Sequence, residues 1–210
     1  MTRLETIPPL GPASEIAPLS DDDNAQDKRR AANAAMERYA AGDAAAFAEL
    51  YDALAPRLYQ FLTRQTRDVA RAEDLLQQTL LQIHGARGRF VAGADVFPWA
   101  FAIARRLFID GLRRGRHEVV ADTSGADPIY ETALPVPPAD DLLHSKRVAQ
   151  ALARELAKIP ETHRVAFELV KTEGLSMREA AAILGTTVTA VKLRAHRAYV
   201  ALRAALTEAN

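Results

Sequence analysis

The chain has 210 residues, 49% of them apolar, enough for one large or two small hydrophobic cores. It contains no cysteine, which excludes disulfides and thiolate metal sites and agrees with a reducing, cytoplasmic location. The formal net charge is zero, yet residues 1–27 hold six acids against one Arg and residues 118–144 hold six acids and no Lys or Arg, while residues 28–117 and 145–206 are both strongly basic. Two basic blocks around an acidic spacer suit two modules acting on one polyanion, although solvated faces give similar charge runs.

Residues 1–30 are rich in Pro, Asp and Ser, without periodicity, and are expected to be a disordered extension. They have no apolar core of the kind a signal peptide needs. A short helix is predicted over residues 31–41, ending at Gly42. Asp43 then caps a helix whose apolar positions are Phe47, Leu50, Tyr51 and Leu54, and Pro56 breaks or kinks it before Leu58, Phe61 and Leu62 continue. Residues 71–84 form the most regular helix, with Ala72, Leu75, Leu76, Thr79, Leu80 and Ile83 on one stripe. Its opposite face carries Glu73, Asp74, Gln77, Gln78 and Gln82 around an exposed Leu81, which is either a docking surface or, as periodicity alone favours, a solvated face.

Residues 85–97 read as a loop with three glycines, leading to Pro98 as the first residue of a helix that runs to Arg116. Phe101, Ala104, Phe108 and Leu112 are its buried positions, and Arg105, Arg106, Arg113, Arg114 and Arg116 form a basic edge. Aromatic residues interleaved with Arg beside such a loop suit single-stranded nucleic acid, because unstacked bases need a surface to stack on. The alternative is that Phe97, Trp99 and Phe101 are core residues, and Phe101 and Phe108 are assigned to the core here. No helix or loop in this block is apolar enough for membrane insertion, since the longest apolar run, residues 96–104, is about half a span.

Residues 118–141 contain four prolines and the acids and are predicted to be a flexible linker. Helices are predicted over residues 142–158 and, beyond Pro160, 161–173. The strongest local signal follows. Ser176 with Glu179 three residues on is a reciprocal capping box, Met177, Ala180, Ala181, Ile183 and Leu184 make an apolar face, and Gly185 permits an abrupt stop. Thr187 caps a second helix with apolar positions Val188, Val191, Ala195, Ala198, Val200 and Leu202, and Lys192, Arg194, His196 and Arg197 project from its other faces. This is a helix-turn-helix, which sets the start of its second helix against a duplex major groove; an ordinary helical hairpin is the alternative.

The predicted fold class is therefore all-α: two small helical domains, residues 31–117 and 142–206, joined by the linker at 118–141, with the helix-turn-helix in the second. The order of parts resembles the bacterial sigma factors of the extracytoplasmic-function group in the sigma-70 family. RAEDLLQQTLLQ at residues 71–82, PWAFAIARRLFIDGLRR at 98–114 and IPETHRVAFELVKTEGLSMREAAAILG at 159–185 carry the resemblance, which covers nearly all of residues 43–206 apart from the linker.

The resemblance implies a factor that directs core RNA polymerase to promoters and assists melting of the minus-ten element, with an anti-sigma protein as a further partner and neither a cofactor nor a small-molecule substrate. It implies polymerase docking through Asp74, Gln77, Gln78 and Leu81. It further implies capture of the melted strand by Phe90, Phe97, Arg105, Arg106 and Arg113, and reading of the duplex minus-thirty-five element by Thr187, Thr189, Lys192, Leu193, His196 and Arg197. The family commonly has Glu at position 78, so Gln78 keeps the docking face but changes its charge; it commonly has Asn at 106 and a hydroxyl residue at 193, so with Arg106 and Leu193 the promoter sequence does not carry over by analogy. A two-domain helix-turn-helix regulator acting without polymerase is the alternative function, and the helical character of residues 30–117 argues against a receiver domain. An enzyme is disfavoured: His84, His117, His144, His163 and His196 are scattered, with no metal-ligand spacing and no phosphate-binding loop.

Overall fold

The structure, a computed structural model, describes residues 22–119 and 158–208, all helix and turn with no strand among them. The predicted linker and the predicted helix over 142–158 lie outside the described residues, apart from their ends.

Helix α1, Asp22–Ala40, buries Ala32, Ala35, Met36 and Tyr39, the i, i+3, i+4, i+7 stripe of an amphipathic helix. It starts well before Ala31, inside the stretch expected to be disordered. Its register is held by Arg29, which pairs with Asp95 and, at 3.1 Å, with Glu179, residues 66 and 150 positions away. Local composition carries no trace of such partners.

Helix α2, Ala46–Thr66, buries Leu50, Leu54, Leu58, Phe61 and Leu62. Asp43 does not cap it directly. Its carboxylate accepts from the Ala45 N–H at 3.0 Å and so closes the turn that leads in, with Ala45 at the cap position. Pro56 does not break the helix, because burial of one continuous apolar face outweighs a local cost of about 3 kcal/mol. Helix α3, Val69–Ala86, is longer than predicted because Asp68 accepts from the Arg71 N–H at 3.1 Å and starts it earlier. It buries Ala72, Leu75, Thr79 and Ile83, as the stripe requires.

A short 3₁₀ turn at Arg87–Arg89 follows, and helix α4 spans Val96–Val119. Asp95, not Pro98, sets its start: the carboxylate accepts from Phe97 N–H at 2.9 Å, and Asn33 of α1 accepts from Val96 N–H at 2.9 Å. Pro98 falls in the first turn, where no N–H is needed. Phe61 of α2 meets Phe101 of α4 edge-on at 5.2 Å, and α1 to α4 surround one apolar core.

The second module begins, among the described residues, at Lys158. Helix α5, Glu161–Phe167, runs into a π-helical turn at Glu168–Thr172 where the sequence predicts plain α-helix. The Glu173 N–H donates to the Glu168 carbonyl at 2.9 Å, and Gly174 (φ 63°) turns the chain. At the α-helical angle of about 100° per residue Glu168 and Glu173 would point roughly 140° apart; the wider turn brings both inward. Helices α6, Met177–Leu184, and α7, Val188–Glu208, complete the module. Helix α7 packs on α5 and α6, and α6 packs in turn on α4 of the first module, so one buried apolar cluster continues between the two.

Candidate nucleic-acid and polymerase interfaces

The helix-turn-helix forms as its residues require. Ser176 Oγ accepts from the Glu179 N–H at 3.2 Å, and the Glu179 carboxylate accepts from the Ser176 N–H at 2.7 Å. Gly185 is left-handed (φ 60°), and Thr187 Oγ1 accepts from the Ala190 N–H at 3.1 Å to start α7. Val191, Ala195, Ala198 and Leu202 are buried, which leaves Thr187, Thr189, Lys192, Leu193, His196 and Arg197 together on the exposed side. Val188 and Val200, expected on the apolar side, are instead 46% and 50% exposed: Val200 lies about half a turn from the buried row, and Val188 stands at its edge in the first turn of the helix.

In the first module the predicted strand-binding set divides. Arg106 and Arg113 are exposed on α4, and Phe90 is half-buried with its ring 5.5 Å from Trp99. Phe97 is core, 2% exposed, with the Arg57 guanidinium stacked on its ring at 4.2 Å. It falls one residue into α4 rather than on the loop, so it cannot stack on a base in this arrangement. Arg105 does not share the exposed edge. Burial lowers the pKa of its guanidinium below the usual range, partly offset by the charge of Glu161 in the second module.

Asp74, Gln77, Gln78 and Leu81 are exposed along α3, with Leu81 69% exposed. Beside them lies an open, largely apolar groove of about 640 Å³ lined by Tyr39, Phe47, Tyr51, Leu80, Leu81 and His84. The Tyr39 hydroxyl and His84 Nδ1, both in its lining, are hydrogen-bonded to each other.

Between the modules runs a charged seam. Glu173, 4% exposed, accepts from Arg64 at 2.5 Å and from Arg57 Nε at 3.3 Å, and Arg57 also donates to the Glu173 carbonyl. Glu168, 2% exposed, accepts from Gln65 at 2.6 Å and pairs with Arg64 at 3.7 Å and Arg164 at 3.8 Å. Burial pushes the Glu168 carboxyl above the usual carboxylate range against the pull of Arg64 and Arg164, and Glu173 pushes it the same way. Burial also lowers the pKa of Arg164, opposed by Glu168.

Residues 50–118 match the family model for sigma-70 region 2, and residues 149–202 match that for sigma-70 region 4. The chain is 41% identical over 174 residues to the RNA polymerase sigma factor CarQ of Myxococcus xanthus, covering 82% of this chain and 96% of that protein. It is 34% identical to the extracytoplasmic-function sigma factor SigF of Caulobacter vibrioides, covering 84% and 94%. The chain belongs to the extracytoplasmic-function sigma factors of the sigma-70 family. As a sigma factor it directs RNA polymerase to promoters. Among solved structures it is similar to the sigma factor RpoE in complex with the anti-sigma factor NepR from Bartonella quintana (TM-score 0.65, 26% identity, 77% of this chain and 96% of that one). The fold is also that of CnrH in complex with the cytosolic domain of CnrY (TM-score 0.58, 24% identity, 86% and 99%). No helix among the described residues is long and apolar enough to cross a membrane.

Sequence reasoning about this sigma factor missed the seam and the groove. Arg57 and Arg64 are i, i+7 on α2 and so share a face, and Glu168 and Glu173 would share one only in a π turn, so half of the seam's pattern was present in the sequence. The groove joins the end of α1, the start of α2 and the C-terminal half of α3, and no single segment carries its signature.

Proposed function

We propose that the six exposed side chains of α7, Thr187, Thr189, Lys192, Leu193, His196 and Arg197, read the duplex minus-thirty-five element. The observation that carries this is their gathering on one side of a helix whose other side is sealed by Val191, Ala195, Ala198 and Leu202. Residues 31–117 and 142–206 act as the two working domains. Phe90, Arg106 and Arg113, joined by Arg105, capture the minus-ten strand as it melts. Asp74, Gln77, Gln78 and Leu81 dock the protein on core polymerase, with Leu81 as the apolar anchor beside the groove. The protein acts in the cytoplasm as a regulator without catalytic chemistry of its own. An anti-sigma protein that covers these surfaces is its natural inhibitor, a reading supported by the complex of the similar RpoE with the anti-sigma factor NepR.

The test is transcription by core polymerase plus this protein on genomic DNA, with transcript starts sequenced, followed by variants on one promoter so found. Loss of a base-edge contact in Lys192→Ala or Arg197→Ala costs about 1–3 kcal/mol and relaxes preference at one position, whereas loss of a phosphate contact weakens all promoters alike. Leu81→Glu removes association with core polymerase, an anchor worth ~2 kcal/mol or more, and leaves circular dichroism unchanged. Unaltered transcription by all three variants overturns the reading.

A further inference from the structure

Helix α7 turns toward the duplex one large side chain that can form no hydrogen bond. Leu193 stands in the second turn of the helix, which begins at Val188, and is 48% exposed. At about 100° per residue it lies between Thr189 and Arg197 on one i, i+4 row, directly opposite the buried row of Val191, Ala195, Ala198 and Leu202. Thr189, Lys192, His196 and Arg197 around it are all exposed, and all end in hydrogen-bonding groups. The Thr187 hydroxyl, accepting from the Ala190 N–H at 3.1 Å, fixes where the helix starts and hence which residue falls at this place.

A single exposed Leu is ordinary on most protein surfaces. On this face it is selective, because the major groove is lined by hydrogen-bonding base edges. Guanine and adenine show acceptors at N7, cytosine and adenine show amino donors, guanine and thymine show carbonyl acceptors, and the C5-methyl of thymine is the apolar group among them. An isobutyl side chain pressed against an amino donor or a carbonyl acceptor displaces its water and returns no hydrogen bond, which is costly. Against the thymine methyl it buries apolar surface on both partners. The exposed apolar residues of α7 do not merge into a patch that would dock a protein instead. Val200, 50% exposed, lies two turns further on, about 10 Å along the axis, with His196 and Arg197 in the turn between.

We propose that Leu193 reads the C5-methyl of one thymine in the major groove of the upstream promoter element, and so fixes both the identity and the strand of one A·T pair there. This rests on the assignment of α7 to the duplex element and adds the chemical group that one position of that element must carry. Lys192, His196 and Arg197 supply the polar contacts around it, and Leu193 supplies discrimination that no charge can give.

The test uses the full chain with core polymerase on a promoter found by sequencing its transcripts. Each thymine of the upstream element, on either strand, is replaced singly by deoxyuridine, which removes the methyl and leaves every hydrogen-bonding group in place. At one position wild type is expected to lose roughly fourfold in transcription at limiting protein, the ratio that burial of one methyl-sized group gives. Leu193→Ala is expected to transcribe the thymine promoter less well than wild type and to respond equally to thymine and deoxyuridine at that position. Cytosine there is expected to cost wild type more than deoxyuridine does. With 5-methylcytosine wild type is expected to regain roughly fourfold over cytosine, and Leu193→Ala to regain nothing.

A wild-type protein indifferent to every deoxyuridine substitution, an upstream element without thymine, or a methyl effect that persists undiminished in Leu193→Ala overturns the proposal. Failure of the underlying assignment reads out separately. If Lys192→Ala and Arg197→Ala transcribe as well as wild type, α7 does not read the duplex and both readings fall. If those two variants are impaired while the deoxyuridine scan is flat, only the reading of the methyl falls.

Discussion

In the first module Leu54, Leu58, Phe61 and Phe101 are sealed among other apolar side chains, whereas at the seam Gln65, Arg164, Glu168 and Glu173 are buried polar residues, Glu168 paired with Arg64 at 3.7 Å and with Arg164 at 3.8 Å. The apolar cluster does continue from α4 into α6, so the seam is not purely ionic. The difference still separates two kinds of contact. Apolar burial is not screened by ions, whereas charge pairing weakens as salt rises and competes with every other polyanion in reach.

The sharpest way to break this comparison is at the core. Phe61→Ala removes a fully buried ring and its edge-on contact with Phe101, and is expected to cost about 3–5 kcal/mol and to lower the melting temperature of the whole protein by many degrees. A scanning calorimetry trace with unchanged melting contradicts the assignment of this ring as the centre of the first module.

Next comes Arg64→Ala. It leaves Glu173 buried with Arg57 alone, a change that costs about 2–5 kcal/mol where the contact must stay closed. Amide hydrogen exchange is expected to accelerate around residues 168–175 and to stay slow in α2 and α4. Equal acceleration everywhere means that the seam is part of the fold rather than a separable contact.

Ser176→Ala is smaller. It removes one half of the capping box and is expected to cost about 1 kcal/mol, concentrated in α6, and to weaken duplex binding through loss of support for α7. Melting of the variant and a duplex titration check it, and an unchanged pair of values contradicts it.

The smallest effect is one of pH. The Glu168 carboxyl is raised in the folded protein, so its neutral form is favoured there. The stability this contributes is fully present below the ordinary carboxylate range and is lost as pH rises through the raised folded value. Glu168→Gln, which copies the neutral form, is expected to be no less stable than wild type at pH 7 and to show a flatter stability profile between the ordinary carboxylate range and neutrality. A variant clearly less stable at pH 7 means that the pairs with Arg64 and Arg164 outweigh burial.

The helix-turn-helix was legible almost atom by atom, since a capping box, a left-handed glycine and a hydroxyl cap each act within four residues of chain. The stripe of α3 and the exposure of Asp74, Gln77, Gln78 and Leu81 followed in the same way from a period of 3.6. The start of α1 and the placement of Phe97 and Arg105 were not legible, because each is decided by partners on other elements: Asp95 and Glu179 for Arg29, Arg57 for Phe97, Glu161 for Arg105.

Helical class and the helix-turn-helix were thus determined by the sequence alone, because propensity, capping and amphipathic period are properties of neighbouring residues, and the family was carried by the motifs at 71–82, 98–114 and 159–185. Only the tertiary structure decided which arginines face solvent and which face glutamates. The π turn at Glu168–Thr172 shows why: it turns two carboxylates toward one seam, where their partners are Gln65 and Arg64 of α2, more than a hundred residues away in the chain.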